Sequence, residues 1–175
     1  MEDFRSIFKE IVNKHKNHSK WDSGDFIGIK SISNTNVGSV GQEFIESICQ
    51  HLEIQFNFPI NKNSSRASQS PWDIKINNVT FELKTATEDT NGKYQFNHLR
   101  YHREYEAVLC LGVSPNEIHF NIWTKADIVT GKAGKLVSME KSANASYKLT
   151  KSKKDLLEII DFKKTIIDFT MNFKK

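Results

Sequence analysis

A chain of 175 residues is long enough to bury a core and short enough to form one domain, and we take it as a single domain over 1–175. Its net charge of +4 and pI of about 9.0 suit a polyanionic partner without demanding one. Its longest apolar run, Ala107 to Val113, has the length of a strand and not of a membrane span, and the opening Met-Glu-Asp carries no charged-then-apolar leader, so a cytoplasmic protein with no membrane partner is expected.

The predicted elements begin with an amphipathic helix from Glu2 to about Asn17, where Phe4, Ile7, Phe8, Ile11 and Val12 recur at helical spacing. A short strand is expected at Phe26 to Ile29. Val37 to Leu52 predicts a second helix, with Phe44, Ile45, Ile48 and Leu52 in one stripe and Glu43 and Glu46 flanking it. A strand over Ile54 to Phe58 and a polar loop over Asn61 to Gln69 follow. Tyr94 to Glu104 predicts a short polar helix. Ala107 to Val113 predicts a buried central strand, and Glu117 to Trp123 an antiparallel partner with Ile118, Phe120 and Ile122 inward. Lys125 to Thr130 has the length of one helical turn. A lysine-rich segment near 131–154 leads to a cap at Ser152 and Asp155, and then to a C-terminal helix from Leu156 onward. Cys49 and Cys110 sit in apolar contexts without ligand spacing and predict buried free thiols. Together these elements predict an α/β (α+β) fold, a central mixed β-sheet flanked by helices.

The informative stretch is Ser70 to Ala86. Asn77-Asn78 separates two alternating runs, and Asn tolerates the left-handed backbone of a two-residue hairpin loop. That loop pairs Ile76 with Val79, Ile74 with Phe81 and Asp73 with Glu82. Alternation then puts Trp72, Ile74, Ile76, Val79, Phe81 and Leu83 on one face, and Asp73, Lys75, Thr80, Glu82 and Lys84 on the other. Directly opposed carboxylates destabilise a sheet unless a cation lies between them. Asp73 and Glu82, with the Leu83 carbonyl, offer oxygen ligands of the kind Mg²⁺ takes. Lys84 on the same face can orient a water and offset charge developing on phosphorus.

Pro71-Trp72-Asp73 followed after eight residues by Glu82-Leu83-Lys84 resembles the PD-(D/E)xK nuclease superfamily, and more narrowly the type II restriction endonucleases. Gly38-Ser39-Val40-Gly41-Gln42-Glu43-Phe44-Ile45-Glu46 is similar to the helix that precedes the core in that group and often supplies a further acid, here Glu43 or Glu46. Tyr94-Gln95-Phe96-Asn97-His98-Leu99-Arg100 before an apolar strand also looks like such enzymes, and Gln95 stands where some members place another polar active-site residue. Trp72, inserted between Pro71 and Asp73, departs from the usual pattern. The resemblance spans roughly Val37 to Ile128 and implies a restriction-endonuclease-like core.

It also implies Mg²⁺-dependent hydrolysis of double-stranded DNA at a short sequence, a homodimer for double-strand cleavage, and a companion DNA methyltransferase that protects the host. The expected DNA contacts are Lys62, Arg66, Lys93, Asn97, His98, Arg100, His102 and Arg103, with the two arginines 100 and 103 as candidate guanine readers. Lys132, Lys135, Lys141, Lys148, Lys151, Lys153 and Lys154 could follow a DNA backbone. His98 and His102 have the i, i+4 spacing of a zinc helix but lack any accompanying HExxH or cysteine pair. The rival readings are a structure-directed nuclease, such as a junction resolvase or nicking repair enzyme, and a catalytically inert DNA-binding module.

Overall fold

A computed structural model describes residues 21–63, 65–67, 70–141 and 145–173. The helix expected over Glu2 to Asn17 lies outside the described residues. A six-stranded sheet forms the centre, in the order β1 (Phe56–Asn57), β2 (Ile74–Ile76), β3 (Val79–Thr87), β5 (Ala107–Val113), β6 (Ile118–Thr124) and β9 (Leu157–Glu158). A second sheet of three antiparallel strands has the order β4 (Lys93–Leu99), β8 (Tyr147–Ser152), β7 (Leu136–Ser138). The helices are α1 (Asn34–His51), α2 (Lys125–Val129) and α3 (Phe162–Asn172). The predicted fold class, a mixed sheet flanked by helices, is what forms: β3 and β5 run parallel and the remaining pairs antiparallel. No helix among the described residues is long and apolar enough to cross a membrane.

The two faces of β3 belong to different layers. Val79, Phe81 and Leu83 join Ile45 and Cys49 of α1 and Phe162 and Ile166 of α3 in one buried cluster. Ala86, on the opposite face, joins Tyr94, Phe96 and Leu99 of β4, Val108 and Cys110 of β5, and Leu149 of β8. The molecule is therefore three layers deep, with helices, the large sheet and the small sheet stacked in that order. Gly41 makes the first contact close. A Cβ there would lie 1.8 Å from Thr85 Oγ1, so only glycine lets α1 seat on β3.

The hairpin has the predicted register, Ile76 with Val79, Lys75 with Thr80 and Ile74 with Phe81, and Asn77 takes a φ of 50° in the loop. β5 is buried along its whole length and central, as its unbroken apolar run predicts, and β6 pairs antiparallel with it. Both cysteines are free and buried.

Four expectations are corrected. Tyr94 to Glu104 is not a helix: Tyr94 and Phe96 alternate inward in β4, and a bulge between Phe96 and Leu99 returns Leu99 to the core, with His98 at φ 58°. Phe26 to Ile29 is not a strand; a 3₁₀ turn runs from Ile27 to Ser31 in this glycine-punctuated stretch. Trp72 does not share the face of Ile74. It precedes β2 and packs on the small-sheet side. The C-terminal helix begins at Phe162 rather than Leu156. The Ser152–Asp155 capping box heads a short 3₁₀ turn, after which β9 pairs along the free edge of β6.

Candidate active site

Pairing between β2 and β3 stops at Asp73, and that ending shapes the site. The Asp73 N–H still donates to the Phe81 carbonyl (2.8 Å), but the next ladder bond comes from the side chain: the Leu83 N–H donates to Asp73 Oδ2 (2.8 Å). The carboxylate is thereby fixed close enough for its charge to act on Glu82, although main-chain pairing ends at Ile74 with Phe81 and does not reach the expected Asp73–Glu82 pair. Glu82 is 1% exposed, and its Oε1 lies 2.6 Å from Lys84 Nζ. Its other oxygen, Oε2, is buried and has no hydrogen-bond partner. Burial holds the Glu82 carboxyl above the ordinary carboxylate range; Lys84 pulls it down, and the neighbouring Asp73 pushes it further up. A buried carboxylate oxygen without a donor is costly in the free protein and suited to a cation.

The residues thus fit a small divalent ion. Asp73 and Glu82 converge, and the main chain of Leu83 lies between Glu82 and Lys84. No group of three or more His, Cys, Asp or Glu side chains suited to a metal occurs among the described residues, so the remaining ligands of an octahedral ion would be main-chain oxygen, water or phosphate.

The surroundings separate the other candidates. Glu43 is exposed on α1, whereas Glu46, less than one-fifth exposed, is ion-paired with Arg66. Gln42, one turn before Glu46, lies beside the Asp73 carbonyl, and with its amide oxygen facing Arg66 it accepts from Nε at 3.1 Å. Gln42, Arg66, Ser70, Trp72 and Asp73 line a cleft of about 220 Å³. The sequence reading has Arg66 as a DNA contact rather than as the partner of Glu46, and it passes over Gln42. The i, i+4 spacing of Gln42 and Glu46 was the available signal.

A second cleft, about 490 Å³, brings Lys84 together with Gln95, Asn97 and His98 and with the first turn of α1. Gln95 donates to Asp89 Oδ2 (3.1 Å), and His98 Nδ1 lies 3.3 Å from Ser146 Oγ. The loss of the expected helix removes the i, i+4 geometry of His98 and His102, the latter exposed in a turn. Arg103 is half-buried and donates from Nη1 to the Ser70 carbonyl (3.0 Å), and its own carbonyl accepts from Lys125 Nζ (2.5 Å). It straps the segment leading into Asp73, and its charge reaches Glu82. Arg100 is half-buried, and Lys62 and Lys93 are exposed. Tyr105, buried with an unpartnered hydroxyl, also borders Glu82, and burial pushes its ionisation well up. Burial with Glu46 alongside pushes the Cys49 thiol up to about 12, which makes it chemically inert.

No family model matches the chain, and no curated protein matches it. Among solved structures, the chain is similar to a bacterial homing endonuclease, I-Ssp6803I, with a TM-score of 0.45 and 8% identity over 70% of this chain and 82% of that one.

Proposed function

We propose that the protein is a Mg²⁺-dependent endodeoxyribonuclease of the type II restriction kind, hydrolysing phosphodiester bonds of duplex DNA at a short sequence. One observation carries the reading: a buried Glu82 with an unpartnered oxygen, set beside a positioned Asp73 and within 2.6 Å of Lys84. Asp73, Glu82 and the Leu83 carbonyl would hold the ion. When bound, Mg²⁺ supplies Lewis-acid polarisation of a phosphate and lowers the pKa of a water.

The chain's own groups do the rest. The Leu83 N–H fixes the Asp73 carboxylate, so its orientation needs no rearrangement. Lys84 holds a positive charge and hydrogen-bond donors at the reacting phosphate, orienting the attacking water and offsetting charge on phosphorus. Glu46, Gln42 and Arg66 wall the Asp73 side, and Gln95 shares the cleft of Lys84. One site of this kind cuts one strand, so double-strand cleavage calls for a homodimer or successive nicks. A companion methyltransferase would protect host DNA.

Supercoiled plasmid incubated with Mg²⁺ or with EDTA tests the reading. Discrete linear fragments with Mg²⁺ alone, lost in Asp73→Asn, are expected. Cleavage confined to branched or nicked DNA would replace it with the structure-directed nuclease, and binding without cleavage with the inert module. Neither binding nor cleavage would overturn it.

A further inference from the structure

The small sheet has one covered face and one open face, and the register says which residue lies on which. Tyr94, Phe96 and Leu149 point into the core, and Lys151 reaches inward over the Trp123 ring, 4.8 Å from its centroid. Alternation turns Lys93 and Gln95 of β4 outward, and Asn97, in the bulge that follows Phe96, is exposed beside them. Gln95 is paired with Thr150 and Lys93 with Ser152 across β8, while Lys148 of β8 is paired with Val137 of β7. Every outward residue is exposed or half-buried, and none is acidic. A solvated β-face usually mixes charge signs; here the outward charges on the strands themselves are all lysines, with the Asp89 carboxylate at the edge held against Gln95. It is also continuous with the candidate site, because Gln95 and Asn97 line the same cleft as Lys84.

We propose that this open face of the β4–β8 pair enters the major groove of duplex DNA, and that Asn97 reads an adenine there. The inference rests on the nuclease reading and names the element that would give it specificity. The major groove, about 12 Å wide, admits a two-stranded β-ribbon, and β7 adds only three residues at one edge. Outward residues two apart on a strand are about 6.8 Å apart, close to the rise of two base pairs, so one strand samples about four base pairs. Lys93 and Lys148 face the phosphates. The Asn97 amide offers the donor and acceptor that adenine N7 and N6 require, whereas the Gln95 amide is already engaged by Asp89. Asn97 and His98 lie in the bulge between Phe96 and Leu99 and both line the cleft of Lys84, which joins the reading face to the cutting site.

The test selects duplexes from a random-sequence pool with the full-length protein in Ca²⁺, which permits binding while cleavage is suppressed. The selected duplex is then compared with a scrambled one. Asn97→Ala should weaken the selected duplex by about 5- to 150-fold, leave the scrambled one unchanged, and relax the consensus at one A·T position. Lys148→Gln should lower the slope of log K against log salt by about one, while Lys163→Ala on the opposite, helical side leaves it unchanged. Methylation at guanine N7 should interfere with binding and methylation at adenine N3 should not. Failure of the wild-type protein to bind any duplex would overturn the nuclease reading itself. Specific binding that is indifferent to Asn97→Ala, Lys148→Gln and N7 methylation would overturn the reading face and leave the nuclease standing. Circular dichroism of each folded variant separates either result from misfolding.

Discussion

The Asp73 carboxylate takes the place of a main-chain carbonyl: its Oδ2 accepts the Leu83 N–H at 2.8 Å, one step beyond the last main-chain bond between β2 and β3. A proposed metal ligand is thus also a structural acceptor, and two substitutions separate these roles. Asp73→Ala leaves the N–H of the buried Leu83 without a partner and should cost about 1–3 kcal/mol in EDTA. Asp73→Asn keeps an acceptor and removes a like charge beside Glu82, so in EDTA it should match wild type or gain about 0.2–1 kcal/mol. Mg²⁺ should raise the melting temperature of wild type and of neither variant. Thermal melts with and without Mg²⁺ decide this, and an unchanged Mg²⁺ increment in Asp73→Asn would remove Asp73 from the ligand set.

Glu46 and Glu43 should part company. Glu46→Gln weakens the pair with Arg66 beside Asp73 and should lower single-turnover cleavage about tenfold or more, some 1.4 kcal/mol of transition-state stabilisation. Glu43→Gln alters an exposed side chain and should leave stability within about 0.5 kcal/mol and cleavage unchanged. If both variants cut at the wild-type rate, α1 contributes no carboxylate to the chemistry.

Much of the candidate site's geometry was legible because it is local. Asp73, Glu82 and Lys84 sit on one two-residue hairpin, whose loop and period-two pattern determine the register by themselves. The second sheet was not legible. In β4 the alternation lasts only from Tyr94 to Phe96 before the bulge at His98 breaks it. In β8 an inward position is filled by Lys151, whose ammonium lies over the Trp123 ring and donates to the Ala133 carbonyl, so a core position reads as polar. The pairing of Glu46 with Arg66 joins a helix to a distant loop, and no sequence period encodes such a contact.

The glycines of α1 give opposite expectations. Gly41→Ala drives a Cβ into Thr85 and should destabilise by about 1–3 kcal/mol, lowering cleavage as α1 lifts from β3. Gly38→Ala meets nothing within 4 Å and should stabilise by about 0.5–1 kcal/mol through helix propensity alone. Chemical denaturation of the two variants measures both, and equal effects would mean that the close seat at Thr85 is absent in solution.

The last prediction concerns Lys84 and pH. Burial raises the Glu82 carboxyl above its ordinary 4.5, Lys84 opposes that rise, and Asp73 adds to it. A carboxyl with a higher pKa folded than unfolded contributes stability that is fully present below the unfolded value and is lost as pH rises through the folded one. In EDTA, wild type should therefore lose stability as pH rises from the ordinary carboxylate range through the raised value of Glu82, and Glu82→Gln should not. Lys84→Ala removes the opposing charge, so Glu82 titrates later still and its charged form is buried without a cation. The variant should be less stable than wild type at neutral pH by about 1–3 kcal/mol, less than for a fully buried pair because Lys84 is partly exposed. That deficit should shrink steadily as pH falls and Glu82 takes up its proton. Melts at a series of pH values measure it directly. A deficit that stays constant across the series would mean that Lys84 acts through packing of its stem and not through its charge on Glu82, and the electrostatic role given to it in the site would fail with that result.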